Sequence, residues 1–303
     1  MGENNRITRK EFLKRSTAGF LGCSLMAIPG GEGRSAELRI LGKTGIKVSG
    51  LGFGASRTME QALLKTALDA GVNFIDTGRG YFNGRNEVMV GELIKGIRKN
   101  IVVQTKARVT RGRGDDGPAT SQTLQRVSET LNTSLSQSLK ALDSDYVDIL
   151  LLHGVTSPAI LGHEEVMSFL EKAKKSGRIR ACGFSAHSNQ AELIRAAVAG
   201  RFYDVAMIAY NHRGAYDHSN SGRHGEWDKG ALDAELEKAG KAGFGVVAMK
   251  TCSGGPYKPP EEAKPSLRAA IQWVLRHDYV QAAAVAMGNM EEVKENLQVL
   301  RGK

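Results

Sequence analysis

Residues 146–153 read YVDILLLH, an apolar run interrupted once by Asp148 and closed by His153. The run does not alternate between apolar and polar, which marks a strand buried on both faces, as in a parallel sheet covered by helices. Two earlier runs end the same way: FID closes on Asp76 and IVVQTK closes on Lys106. Each precedes an amphipathic stretch, so each ionisable group stands where a buried strand feeds the loop before a helix. In a parallel α/β barrel all strand ends point to one face, and that rim carries the active site. A carboxylate, an amine and an imidazole gathered there tune a proton donor between them. Tyr81, five residues past Asp76, is the candidate donor.

Working outward, strands and helices alternate along the rest of the chain. The pieces LRIL (38–41) and IKVSG (46–50) flank Gly42-Lys43-Thr44-Gly45, a hairpin signal. SGLGFG ends near Gly54 and leads to a helix over 60–70. VNFI (72–75) leads to a helix with Val90, Leu93, Ile94 and Ile97 on one face. IVVQT (101–105) leads to one carrying Leu124, Val127, Leu131, Leu135, Leu139 and Leu142 at spacings of three and four. The run at 146–152 precedes a helix from Glu164 to about Ser176, closed by Gly177. IRACGF (179–184) precedes Ser188, expected as the N-cap of a helix ending at Gly200. YDVAMI (203–208), a long polar loop and a helix over 231–242 follow. GVVAM (245–249) and AAAVAM (282–287) complete the set, with helices over 265–276 and 290–300. Eight βα units behind a hairpin predict a (β/α)8 TIM barrel over residues 36–303. A doubly wound sheet is the rival, but Gly50–Gly54 lacks the G-x-G-x-x-G spacing expected after its first strand.

The 303 residues are 41% hydrophobic and 24% charged, with a formal net charge of +10. No long Lys/Arg block or aromatic-interleaved basic stretch lies beyond the N-terminus, so the charge does not call for nucleic acid. It suits a phosphate-bearing cofactor or a solvated surface. Three scattered cysteines without a CxxC provide neither a disulfide framework nor a cluster site. His212, His218 and His224 match no standard metal spacing, so no metal is expected.

Residues 1–35 read differently. A basic start, with six Lys/Arg against three Glu in the segment, precedes a short apolar run from Ala18 to Pro29 and then glycines. The run is too short to span a bilayer, so no stable membrane insertion is expected. Its order is that of a secretory leader. Thr8-Arg9-Lys10-Glu11-Phe12-Leu13-Lys14 resembles the twin-arginine export consensus, with Lys10 at the second arginine. This predicts a bacterial protein engaging export machinery and reaching the periplasm. The alternative is a disordered or helical extension on a cytoplasmic protein.

Four stretches resemble the aldo-keto reductases: Leu41 to Gly45, Gly71-Val72-Asn73-Phe74-Ile75-Asp76-Thr77, Tyr146 through His153, and Gly183-Phe184-Ser185. The resemblance runs from about residue 37 to 300. It implies a barrel that binds a nicotinamide cofactor, NADP or NAD, in extended form, and a catalytic tetrad of Asp76, Tyr81, Lys106 and His153. Elementary chemistry supports those roles. A phenol is a poor acid, with a reference pKa of about 10, and a nearby ammonium eases its proton away. Asp76 would hold that ammonium, and His153 would steer the carbonyl oxygen of a small-molecule substrate. Singly, each residue has a plainer reading: a cap, a rim aromatic, a solvated lysine, a satisfied core histidine. Their conjunction at three consecutive strand ends decides for catalysis.

For the cofactor, the resemblance implies Gly54, Ser185, Met249, Lys250, Gly254, Glu295 and Asn296. Ser185 matches the carboxamide contact, although Ala186 stands for the usual Asn and Met207 for the usual Gln. Met249 falls where an aromatic ring often stacks on the nicotinamide. Lys250 and Gly254 face the pyrophosphate, and Glu295-Asn296 matches the adenine pair. Glu292 stands where the family often clamps a 2′-phosphate with arginine, which makes NAD plausible. The chain ends seven residues past Asn296, where the family commonly continues, so the pocket is expected to be open or completed by another subunit. The expected activity is NAD(P)H-dependent reduction of an aldehyde or ketone. Two rivals are a cofactor-binding regulatory or sensor barrel without significant turnover, and a Schiff-base barrel using Lys106, which a flanking Asp76 disfavours.

Overall fold

Eight parallel strands close into a barrel, each beside its neighbour in chain order and the last beside the first. The structure is a computed structural model and describes residues 37–109, 127–217, 222 and 224–300. The leader expected over 1–35 lies outside the described residues, as does Leu124. A hairpin comes first, β1 (Leu38–Ile40) against β2 (Lys47–Ser49). The barrel strands β3 (Leu51–Gly54), β4 (Phe74–Asp76), β5 (Val102–Ala107), β6 (Val147–Leu152), β7 (Ile179–Ala186) and β8 (Val205–Ala209) follow. A second hairpin, β9 (Ala215–Asp217) with β10 (His224–Glu226), precedes β11 (Gly245–Met249) and β12 (Ala282–Ala286). Around them stand α1 (Gln61–Asp69), α2 (Arg85–Ile94), α3 (Val127–Ala141), α4 (Pro158–Leu161), α5 (Glu164–Lys175), α6 (Gln190–Gly200), α7 (Lys229–Lys241), α8 (Leu267–Leu275) and α9 (Met290–Leu297).

Period-two alternation divides each barrel strand between two cores. In β6, Ile149 and Leu151 join a cluster inside the barrel, whereas Leu150 and Leu152 join the larger cluster between strands and helices. The run therefore reads as uniformly apolar because both faces are dry. Leu41, Ile46 and Val48 of the first hairpin belong to the inner cluster with Phe74, Val102 and Val205. The Lys43 amide donates to the Gly243 carbonyl at 2.8 Å, just ahead of β11, so the hairpin seats against the strand starts. The opposite rim, where the strands end, stays polar.

Four local expectations need correction. Ser188 does not cap α6. Asn189 occupies that position at φ +56°, and its amide donates to Glu192 at 2.6 Å instead of receiving the helix's first N–H groups. Ile97 is 41% exposed because α2 stops at Ile94 and the face it would have continued turns away. The loop after β8 folds β9 and β10 into a hairpin, with Tyr216 buried over Gly225, whose missing side chain makes room for the ring. The four-residue helix α4, with Pro158 in its first turn and Ser157 accepting from the Ala159 amide at 3.3 Å, has too short a period to register in sequence.

Candidate active site

Asp76 is the last residue of β4 and Lys106 the penultimate residue of β5, while His153 directly follows β6. Adjacent parallel strands bring the three to one rim. Lys106 Nζ donates to Asp76 Oδ1 at 2.5 Å, to the Thr77 carbonyl at 2.8 Å and to Tyr81 Oη at 3.1 Å. An ammonium has three protons, and all three are used. The His153 ring meets the Tyr81 ring edge-on, with centroids 6.2 Å apart and planes at 87°.

The turn carrying Tyr81 is held from beneath by two fully buried polar residues of α2. Asn86 accepts from Thr77 Oγ1 at 2.6 Å and donates to the carbonyls of Ala55 and Thr58. Glu87 accepts from Thr105 Oγ1 at 2.6 Å and from Arg79 at 2.5 Å. Phe82 and Asn83 then turn through the left-handed region at φ +48° and +55°. Such strain persists where the surroundings over-determine the backbone, as these bonds do.

Electrostatics refines the expected proton chemistry. Burial raises the Tyr81 pKa above the ordinary phenol value; Lys106 pulls it down, and Asp76 adds to the rise. The ammonium alone would lower it, so the net direction reverses the sequence-based expectation: desolvation outweighs charge. Burial also opposes the charge on Lys106, but Asp76 and Tyr81 outweigh it and its pKa stands above the ordinary value. His153 is pushed down to about 3, first by burial and then by the positive fields of Lys106 and Arg108. At neutral pH the rim holds a protonated phenol, a charged amine and a neutral imidazole.

These groups line a cavity of about 620 Å³. Asp76, Tyr81, Lys106, His153, Gly54, Ser185, Met249 and Lys250 all border it, together with Met207. Gly254, Glu295 and Asn296 are not among its lining residues. Gly254 has another reason to be small: a Cβ there would come within 2.6 Å of the Asn211 side chain. Asn211 ties two rim loops together by donating to the carbonyls of Ala215 and Lys250, each at 3.0 Å. Ser185 Oγ accepts from the Gly154 amide at 3.0 Å, so it also fixes the loop beyond His153. Glu292 is not a bare charge. It pairs with Arg57 at 3.1 Å, a rim residue that the sequence does not single out.

A family model described as the Aldo/keto reductase family matches residues 48–221. The chain belongs to that family. This aldo/keto reductase is 27% identical to L-galactose dehydrogenase of Arabidopsis thaliana over 86% of its own length and 87% of that protein. It is 31% identical to the NADH-specific methylglyoxal reductase of Escherichia coli, over 47% of its own length and 50% of that protein. The reductase spans about half the length of several other curated relatives that it matches. Its fold matches the holo form of an aldo-keto reductase from Bacillus halodurans with a TM-score of 0.70, at 23% identity, covering 88% of this chain and 92% of that one. It also matches a Klebsiella pneumoniae aldo/keto reductase solved with NADP and acetate, with a TM-score of 0.63 at 20% identity, covering 88% and 90%.

Gln104, like Arg57, Asn86 and Glu87, belongs to this site without a motif to mark it in the sequence. It lies two positions before Lys106, on the same inward face, and its amide reaches Asp76. The alternation that places Lys106 inside the barrel was the signal that could have found it.

Proposed function

We propose that this aldo/keto reductase reduces an aldehyde or ketone to an alcohol, with the hydride from NADH or NADPH and the proton from Tyr81. The observation that carries the reading is the 3.1 Å bond between Tyr81 Oη and Lys106 Nζ inside the cavity, backed by Asp76.

The cavity's chemistry suits a nicotinamide dinucleotide. Its volume of about 620 Å³ lies within the range of small-molecule and cofactor sites, roughly 300–1,000 Å³. Met207, Met249 and Ala284 offer apolar surface to a flat ring, beside the Ser185 hydroxyl. Burial holds the Lys250 pKa below its ordinary value, and Lys250 has no acidic partner among the described residues. Its ammonium lies 5.3 Å from the centre of the Tyr216 ring; a desolvated ammonium without a counter-charge is costly unless an anion comes to it, and a diphosphate is such an anion. Met207, Met249 and Ser185 would hold the nicotinamide end and Lys250 the diphosphate. The bound cofactor supplies a hydride to the carbonyl carbon.

The protein's own residues supply the rest. His153, neutral at the working pH, donates a hydrogen bond to the carbonyl oxygen and orients it. Tyr81 passes its proton to that oxygen as negative charge develops there. Lys106 stabilises the resulting phenolate across the 3.1 Å bond, and Asp76 keeps Lys106 charged and in place. Burial keeps the phenol protonated until the oxyanion forms. The Arabidopsis and Escherichia coli relatives, a dehydrogenase and a reductase, support the same reaction class.

The test is loss of reduced-nicotinamide absorbance on mixing protein, NADH or NADPH and a reactive aromatic aldehyde. Tyr81→Phe should abolish that loss while cofactor binding, read by fluorescence, persists. Cofactor binding without turnover of any carbonyl would favour a sensor barrel instead. For residues 1–35 the reading is export to the periplasm, supported by the twin-arginine-like Arg9-Lys10 sequence. Cell fractionation with Arg9→Gln and Lys10→Gln variants tests it, and an unchanged distribution would count against it.

A further inference from the structure

On the tetrad side, the cavity opens into an annex of about 350 Å³ that shares Gly80, Lys106, Arg108 and His153 with it. The far wall of the annex is one face of α3: Thr130, Thr133, Ser134 and Gln137. Their spacing of i, i+3, i+4 and i+7 aligns four uncharged polar side chains in a stripe. None of the four side chains makes a hydrogen bond among the described residues. An annex walled in this way has hydrogen-bond donors and acceptors to offer along one side.

The cations around it differ in what they are already doing. Lys106 is held by Asp76, and Arg79 by Glu87 and the Gln137 carbonyl. Across the cavity, Arg57 is held by Glu292. Arg108 alone of these arginines has no acidic partner or hydrogen bond among the described residues. It lies two positions past Lys106, just beyond the end of β5, and borders both the cavity and the annex. Its field reaches the reacting centre, since it is one of the charges that depress His153. The other cation of the cavity without an acidic partner among the described residues is Lys250, just past the end of β11, with its ammonium 5.3 Å from the centre of the Tyr216 ring. In the ring order, β5 and β11 stand diametrically opposed. Among the described residues, one positive charge without an acidic partner thus faces each side of the tetrad, and the dinucleotide's diphosphate would account for only the Lys250 side.

We propose that Arg108 is the anchor for a carboxylate on the substrate, so that the preferred substrate is an aldehyde or ketone carrying a carboxylate. This rests on the carbonyl-reduction reading above. A guanidinium stays charged at any working pH and presents a fork that matches a carboxylate with two parallel N–H bonds. The α3 stripe then borders the part of the substrate between carboxylate and carbonyl.

The experiment compares two aldehydes of nearly equal shape, 4-carboxybenzaldehyde and methyl 4-formylbenzoate, with the same reduced nicotinamide. A charge-assisted bond of ordinary strength predicts a kcat/KM ratio of about ten to a hundred in favour of the acid. Raising the ionic strength should erode it. Arg108→Gln should bring the ratio near unity, Arg108→Lys should keep part of it, and Lys241→Gln, on the outer face of α7, should leave it unchanged. Equal turnover of acid and ester by the wild type, or a preference that survives Arg108→Gln, overturns the proposal while leaving the reductase reading intact. If neither aldehyde is reduced although the cofactor binds, the reductase reading fails. The anchor is then judged by calorimetry with 4-(hydroxymethyl)benzoate against its methyl ester on cofactor-loaded protein. Tighter binding of the acid that Arg108→Gln abolishes supports the anchor, and equal binding overturns it.

Discussion

The side-chain amide of Gln104 donates to Oδ1 of Asp76 at 2.7 Å, the same oxygen that receives Lys106 at 2.5 Å. Gln104 is fully buried and directly opposite Asp76 in the β4–β5 register. Its nitrogen also lies 3.3 Å from Met207 Sδ, while its Oε1 has no partner among the described residues. Two donors sharing one carboxylate oxygen divide its charge. Gln104 therefore weakens the field that Asp76 exerts on Lys106 and Tyr81. Gln104→Leu is expected to lower kcat several-fold, leave cofactor affinity unchanged and move the alkaline limb of the pH–rate profile upward. Stability should change by no more than about 1 kcal/mol, because the lost charge-assisted bond and the removed orphan carbonyl offset each other. An unmoved alkaline limb would mean that Lys106 alone governs Asp76.

Removing Lys106 tests the tetrad as a piece of structure. Asp76 and Lys106 expose only 3% and 2% of their side chains, so Lys106→Met strands a carboxylate away from water. A loss of about 3–5 kcal/mol is expected. Adding Asp76→Asn should recover much of that stability and none of the activity. Urea unfolding of the single and double variants measures the difference.

His153 gives the fold a pH dependence of known sign. Its pKa falls from 6.5 to about 3 on folding, so between those values the unfolded chain binds more protons than the folded one. The contribution is fully present above pH 6.5 and is lost as pH drops toward 3, by an amount on the order of a few kcal/mol. His153→Gln should flatten the fall in unfolding free energy between pH 7 and pH 4. A wild-type slope matching that of the variant would show that the imidazole is not buried uncharged.

The Arg57–Glu292 pair bears on cofactor choice. Glu292 Oε2 takes Arg57 at 3.1 Å and the Gly288 amide at 2.7 Å, so the arginine at the cavity edge is already engaged. Glu292→Gln frees that arginine and removes a carboxylate that repels phosphate. The ratio of NADPH to NADH affinity should rise several-fold, and Arg57→Gln should lower it. Fluorescence titration with both reduced cofactors reads the shift, and a ratio indifferent to both variants would place the 2′-phosphate elsewhere.

Much of the barrel is legible along the chain. Non-alternating runs such as DILLLH announce strands dry on both faces, and helix periodicity separates them, because burial on a sheet or a helix imposes a period that composition must follow. The same logic brings Asp76, Lys106 and His153 to one rim, since consecutive parallel strands end on the same side. The weaker local signals failed where one residue type fits several roles. Ser188 looked like a cap, but Asn189 takes that place, and the loop after β8 hides a hairpin that relies on Tyr216 seating over Gly225.

Which groups share an atom was decided only when the ring closed. Gln104 meets Asp76 across 28 positions of chain and Arg57 meets Glu292 across 235. No local period encodes either distance. The direction of the Tyr81 shift is likewise tertiary: the sequence supplies a phenol and an ammonium, but the depth at which packing buries them determines that desolvation outweighs their attraction.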